Sequence, residues 1–282
     1  MLDAACAHSP EFYRSIRLHL VERSGVARSA QAATLARHRA GLVSSEAALP
    51  ERFEGVLIAN ELLDALPVHQ VVMRDALREV YVVARDAAPG RLVLVEGPPS
   101  TPALAEYLAR LDVELQAGWR VEINLQAVDW IRDVARRLQR GFVIVIDYGH
   151  EARDLYSASH SGGTLTAFRQ HRSAGPESGA PEWLRSAGEQ DMTSHVDFTS
   201  LRAAAESEGL QTLGFLDQTY FLLGLLPPDT GDGEAMSRPQ TVRMLKTLIV
   251  PGGLGSTHKV MIFGKGVGTP ILRGCSYRMR VT

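Results

Sequence analysis

Two apolar runs in this chain end abruptly in acids. Gly55-Val56-Leu57-Ile58-Ala59 leads without a spacer into Asn60-Glu61-Leu62-Leu63-Asp64, and Phe142-Val143-Ile144-Val145-Ile146 leads into Asp147-Tyr148-Gly149. Short unbroken apolar runs bounded by turn residues predict buried strands of a parallel sheet. In an open α/β sheet ligands bind beyond the carboxyl ends of the strands, so these acids are predicted to rim a site. A third predicted strand, residues 16 to 22, also closes on an acid, Glu22.

Around these strands the pattern alternates between helical and extended periods. Residues 1 to 13 read as the end of a helix, 26 to 39 as an Ala/Arg-rich helix, and Leu42-Val43 as a weak strand. Residues 68–74, 78–85 and 91–96 are β-rich runs joined by short links, which predicts an antiparallel meander rather than crossovers. A helix is predicted over 102–115. Residues 124–140 carry Leu125, Val128, Ile131, Ala135 and Leu138 on one helical stripe, with Gly141 as the expected stop. Residues 151–195 are rich in loop signals. A helix over 198–208 stopped by Gly209, an antiparallel strand pair over 210–216 and 259–263, and a helix from about 239 to 249 complete the reading. The predicted organisation is a partial core over 1–67, an antiparallel insertion over 68–123, the rest of the core over 124–268 with its long loop at 151–195, and an irregular tail over 269–282.

Composition narrows the function classes. The 282 residues are 45% hydrophobic and 22% charged, as in an ordinary globular protein, and the net charge of −2 gives no field to attract nucleic acid or an anionic membrane. No apolar run reaches membrane-spanning length. Two cysteines, Cys6 and Cys275, provide neither a disulfide framework nor metal-ligand spacing. A reducing compartment, the bacterial cytoplasm, is the expected location.

Several longer motifs occur in one order: NELLDALPVHQ at 60–70, VIDYGH at 145–150, GGTLTAFRQH at 162–171, GEQDMTSHVDFTSL at 188–201 and GSTHKVMI at 255–262. With them the chain resembles the MidA-like family of class I S-adenosylmethionine-dependent methyltransferases. The mitochondrial members of that family are arginine methyltransferases acting in respiratory complex I assembly. The resemblance implies an α/β fold, a Rossmann-like methyltransferase sheet with an antiparallel β insertion. It also implies S-adenosyl-L-methionine as cofactor and a protein arginine as substrate. One departure stands out. The family's first strand ends in a glycine-rich loop that cradles the cofactor, and nothing before residues 16–22 supplies it, so an N-terminal truncation is expected. Gly264-Lys265-Gly266-Val267-Gly268 has glycine spacing but leads into Pro270 rather than a helix, which makes it a poor substitute. A missing central strand would leave unpaired edges and favour self-association.

The resemblance gives each candidate residue a role to set beside a structural one. Glu22 is expected to accept hydrogen bonds from the cofactor ribose, or else to be a solvated strand-end acid. Asn60, Glu61 and Asp64 are the best constellation. If a helical turn begins at residue 61, Glu61 and Asp64 share a face and can grip one guanidinium, with Asn60 and Glu61 also toward the cofactor. Alternatively Asn60 is a helix cap and the acids favour the helix dipole. Asp147 and Tyr148 are expected to take a pocket role, Asp147 acting with these acids and Tyr148 positioning substrate, or else to be a turn acid followed by a core aromatic. His69 and Gln70 are expected to border the substrate entrance, or else to be a buried polar pair. His171 and His195 are expected on the substrate-side loop, ordering it by hydrogen bonds, with Asp191 as a helix or turn cap. No metal role is assigned, because the family needs none and His195 and Asp197 share a face only in a strand. Two other readings stay open: a cofactor-incompetent homologue that keeps only binding or assembly surfaces, and a nicotinamide-dependent oxidoreductase, which fits the sheet but not the motifs.

Overall fold

The computed structural model describes residues 1–84, 92–169, 172–174, 184, 187–225, 248 and 257–276. The chain divides into two units, Met1–Phe53 and Glu54–Thr282.

The first unit opens with α1 (Leu2–His8) and α2 (Pro10–Ser15). The predicted single helix is broken at Ser9, because Pro10 has no N–H to donate back into α1. Strand β1 (Leu18–Val21), helix α3 (Gly25–Leu35) and strand β2 (Leu42–Glu46) follow, and β1 and β2 pair in parallel as a sheet of two. No hydrophobic residue of this unit is fully buried; its one buried side chain is His38, held by the Tyr13 hydroxyl at 2.8 Å and by Asp3 at 2.8 Å.

The second unit holds the core. Its main sheet contains β3 (Phe53–Asn60), β8 (Leu138–His150), β12 (Val196–Asp197), β13 (Gln211–Asp217) and β14 (His258–Lys265). β8 is central. It pairs with β3, in parallel with β12, and antiparallel with β14, which in turn pairs antiparallel with β13 as the sequence predicts. Along β8 burial alternates with the two-residue period of a strand: Val143, Val145 and Asp147 are fully buried, while Ile144, Ile146, Tyr148 and His150 are half-buried on the other face.

A second sheet holds the predicted meander, β4 (His69–Met73), β5 (Leu77–Ala84) and β6 (Leu92–Gly97), all antiparallel. After α4 (Ala103–Ala109), β7 (Arg120–Ile123) adds a fourth strand beside β4. That strand was not predicted, since four residues cannot display a period.

Helix α5 (Leu125–Arg137) starts where Asn124 Oδ1 accepts the Ala127 N–H at 2.8 Å, and it buries Ala127, Val128, Ile131, Val134 and Ala135 as one stripe. It stops at Arg137, before the expected glycine. Gly141 lies inside β8, where a Cβ would come within 1.8 Å of the Gly55 carbonyl oxygen, so this glycine lets β3 and β8 approach. Short α6 (Ala152–Leu155), strands β9 (Thr166–Arg169), β10 (Arg172–Ala174) and β11 (Asp191–Thr193), helix α7 (Phe198–Ser207) and α8 (Gln218–Leu225) complete the described elements. Asp197, not Asp191, is the cap: its Oδ1 accepts from the N–H groups of Thr199 and Ser200 at the start of α7. The helix predicted over 239–249 lies outside the described residues, apart from Leu248.

One expectation about β3 is corrected. Val56 and Ile58 are 58% and 44% exposed, and among the described residues β3 pairs with β8 alone. No helix among the described residues is long and apolar enough to cross a membrane.

Candidate active site at the tips of β3 and β8

The chain leaves β3 in a turn, not a helix. Glu61 has φ +48°, its N–H donates to the Ile146 carbonyl of β8 at 2.9 Å, and residues 61–66 form a tight turn. Asp147 holds that turn. Its Oδ2 accepts from the N–H groups of Leu62 and Leu63, at 3.2 and 2.8 Å, and its Oδ1 accepts from Tyr148 N–H at 2.9 Å. The helix-capping role considered for Asn60 is therefore absent, and Asn60 is an exposed strand end. Asp147 is thus a turn acid, the second of its two expected roles. It has no exposed surface, and both its oxygens are taken by main-chain donors. Burial and the nearby Asp64 carboxylate push it up to about 7, against those donors.

Two more contacts fix the turn. Asn124, capping α5 with its oxygen, donates its Nδ2 to the Leu63 carbonyl at 2.9 Å, and Ser194 N–H donates to the Asp64 carbonyl at 3.0 Å. Leu63 is completely buried beneath. Main-chain order is thus imposed on the turn from β8, from α5 and from the 194 segment.

The acids on the turn differ. Asp64 is only 4% exposed, and its Oδ1 is buried with no hydrogen-bond partner. Burial first, and the Glu61 charge second, raise its pKa above the ordinary carboxylate value. A buried acceptor left unsatisfied is costly unless a ligand supplies the donor. Glu61 is about half exposed, and its Oε1 lies 3.3 Å from Nε2 of buried His258 on β14. His258 stands opposite Tyr148 in the β8–β14 register and packs on its ring at 3.9 Å between centroids. Glu61, buried His258 and Tyr148 therefore form one connected polar and aromatic cluster, and the charges of Glu61 and His258 act on Asp64. His258 was not singled out from the sequence, although the GSTHKVMI motif contained it.

Other predicted residues have different surroundings. His69 faces the meander: its Nδ1 lies 2.7 Å from Oε1 of Glu79. Burial would raise Glu79, yet His69, the Ser100 N–H and the Tyr81 hydroxyl bring it down to about 2. This pair ties β4 to β5. Gln70 donates to Glu122 on β7 at 2.9 Å, and Glu122 accepts from Thr164 N–H at 2.7 Å. Gly163 permits that approach, since a Cβ there would fall 2.5 Å from the carboxylate. Thr164 Oγ in turn accepts from His195 N–H at 3.0 Å. His195 comes together with His150 and His160, which sequence reasoning missed. Its ring is brought down to about 4 by burial and by those two imidazoles. His171 lies outside the described residues.

Glu22 belongs to the first unit. It follows β1 and is half-buried, and its Oε1 accepts from Ser24 N–H at 2.7 Å. One carboxylate oxygen remains to receive a ribose hydroxyl, which fits the chemistry of a nucleoside ligand. The orphaned Asp64 oxygen similarly fits a donor-rich ligand.

Comparison with known proteins places the chain in a family. Residues 1–216 match a family described as "Putative S-adenosyl-L-methionine-dependent methyltransferase". A Drosophila melanogaster protein, "Protein arginine methyltransferase NDUFAF7 homolog, mitochondrial", is 29% identical over 196 residues, covering 62% of this chain and 37% of its own length. The chain thus spans little more than a third of that relative. Two Burkholderia thailandensis crystal structures of the COG1565 superfamily share the fold. One, a native structure, has a TM-score of 0.76 at 30% identity, over 92% of this chain and 68% of the other. The second, bound to S-adenosyl-homocysteine, has a TM-score of 0.79 at 29% identity, over 98% and 70%. The chain belongs to this family of S-adenosyl-L-methionine-dependent methyltransferases.

Proposed function

We propose that this chain methylates a protein arginine, with S-adenosyl-L-methionine as donor, in the service of respiratory complex I assembly. The observation that carries the substrate choice is the buried, unpartnered Oδ1 of Asp64 beside Glu61. Two carboxylates on one rigid turn suit a planar guanidinium, which offers paired N–H donors and a positive charge. The Drosophila relative named as a protein arginine methyltransferase supports the same class, as does the family resemblance for complex I.

When bound, the donor supplies a methyl group already activated on a sulfonium. The residues of this chain orient and hold charge. Asp64 and Glu61 fix the guanidinium, Asp147 keeps their turn rigid, and Tyr148 packed on His258 forms a wall beside them. Methylation of a guanidinium nitrogen releases one proton, and the Glu61–His258 pair is the acid–base couple on this rim. Glu22 is assigned to the ribose of the donor.

A second reading is favoured by one observation. Among the described residues the one Gly-x-Gly-x-Gly run, 264–268, is followed by no helix, so it lacks the helix N-terminus that binds anionic ligands. In that reading the chain keeps the acidic rim as a binding surface alone. Isothermal titration of the chain with S-adenosyl-L-methionine separates the two. Saturable binding that Glu22→Gln weakens supports the enzyme. A flat titration for a folded chain overturns it in favour of the binding reading.

A further inference from the structure

Three histidines that the proposed chemistry leaves unused meet at one place. His150 is the last residue of β8, His160 lies in a short 3-10 turn over 158–160, and His195 immediately precedes β12. Their ring centroids are 4.9, 5.2 and 5.8 Å apart, and one ligand-capable ring nitrogen from each lies within 4.8 Å of the other two. Nitrogens sharing one tetrahedral ion stand about 3.4 Å apart, given metal–nitrogen bonds of about 2.0–2.1 Å. Small side-chain rotations close that gap.

Three features favour a ligand over simple ring packing. First, the Nδ1 of His160 lies 2.8 Å from the Asp154 carbonyl oxygen, which can only accept. The proton therefore sits on Nδ1 and the lone pair on Nε2, the arrangement that orients most metal-binding histidines. Second, the Nδ1 of His195 is buried and has no hydrogen-bond partner. Third, the backbone forces the approach. β12 pairs with the end of β8, with Val196 opposite Gly149, and a Cβ on Gly149 would fall 2.1 Å from the Val196 carbonyl oxygen. Only glycine lets the 195–197 segment sit there, and this sets His195 against His150.

We propose that His150, His160 and His195 bind one divalent transition-metal ion. Three neutral imidazoles suit zinc, cobalt, nickel or copper rather than magnesium or calcium, and they leave a fourth position for water or another donor. The ion would cross-link the end of β8, the 156–164 loop and the 194–197 segment. Ser194 and Thr164 in those segments hold the Asp64 carbonyl and the His195 main chain, so the ion would stiffen the support behind the acidic turn.

The test uses the full chain freed of metal by chelation. Titration with zinc chloride by calorimetry, and with cobalt chloride by visible absorption, is expected to show one ion per chain. Cobalt should give the d–d bands of a low-symmetry nitrogen site. His160→Gln should weaken zinc binding by about tenfold or more, and His19→Gln, a histidine of the other unit, should leave it unchanged. A measurement on the unaltered chain guards against misfolding of the variant: zinc should slow modification of His150, His160 and His195 by diethyl pyrocarbonate, read by peptide mass spectrometry, and not that of His19. No zinc binding, binding indifferent to His160→Gln, or protection that spares these three overturns the proposal. None of these readouts requires the methyl donor, so this proposal and the methyltransferase reading fail independently.

Discussion

The tips of β1 and β8 each close on an acid, and their surroundings are opposite. Glu22 stands in a unit without a buried hydrophobic core and uses one oxygen to cap the following turn. Asp147 is completely buried, and its two oxygens are spent on three main-chain N–H groups. An acid at a strand tip is therefore not one kind of residue. Half-buried Glu22 caps a local turn, whereas fully buried Asp147 builds the platform that carries Glu61 and Asp64.

Substitutions at the two tips should sharpen this contrast. Asp147→Ala leaves three buried or half-buried N–H groups without an acceptor, at about 1–3 kcal/mol for each that cannot relax. A net loss near 3 kcal/mol, read from the urea midpoint, is expected. Gly149→Ala should cost about 2 kcal/mol, because the new methyl group meets the Val196 carbonyl and must displace β12. Replacing exposed Val56 and Ile58 on β3 with lysine should reduce concentration-dependent light scattering while changing melting little. Glu22→Gln should alter stability by less than about 0.5 kcal/mol, the range of substitutions outside a core. If Asp147→Ala proves as mild as Glu22→Gln, the contrast between the tips is broken.

pH gives a further handle. The Asp147 carboxyl titrates at about 7 in the fold, raised from its ordinary 3.8 by burial and by Asp64. The folded chain therefore holds this proton over a range in which the unfolded chain has lost it. Its contribution to stability is present below about pH 4 and declines as pH rises toward 7. Asp147→Asn has no such proton. The stability advantage of the natural chain over Asp147→Asn should shrink between about pH 4.5 and pH 7.5. An advantage that grows over that range would contradict the assignment.

Much of this fold was legible because its signals are local. The short links between β4, β5 and β6, the stripe of α5, and Gly209 closing α7 are each contained in a dozen residues. What was missed is long-range. The turn after β3 is not a helix because Asp147, more than eighty positions away, draws the Leu62 and Leu63 N–H groups to itself. Strand β7 exists because β4 offers it an edge. The histidine cluster unites three segments that share no period, and His258 reaches Glu61 only through the register of β14 on β8.

The most direct test of the acidic rim is methylarginine formation. The chain would be incubated with S-adenosyl-L-methionine and arginine-containing protein and peptide substrates, and the products read by mass spectrometry. Asp64→Asn removes the unpartnered carboxylate oxygen without removing the turn. The account predicts a loss of about a hundredfold or more in methylarginine with no fall in melting temperature. Undiminished methylarginine from a folded Asp64→Asn chain would contradict it.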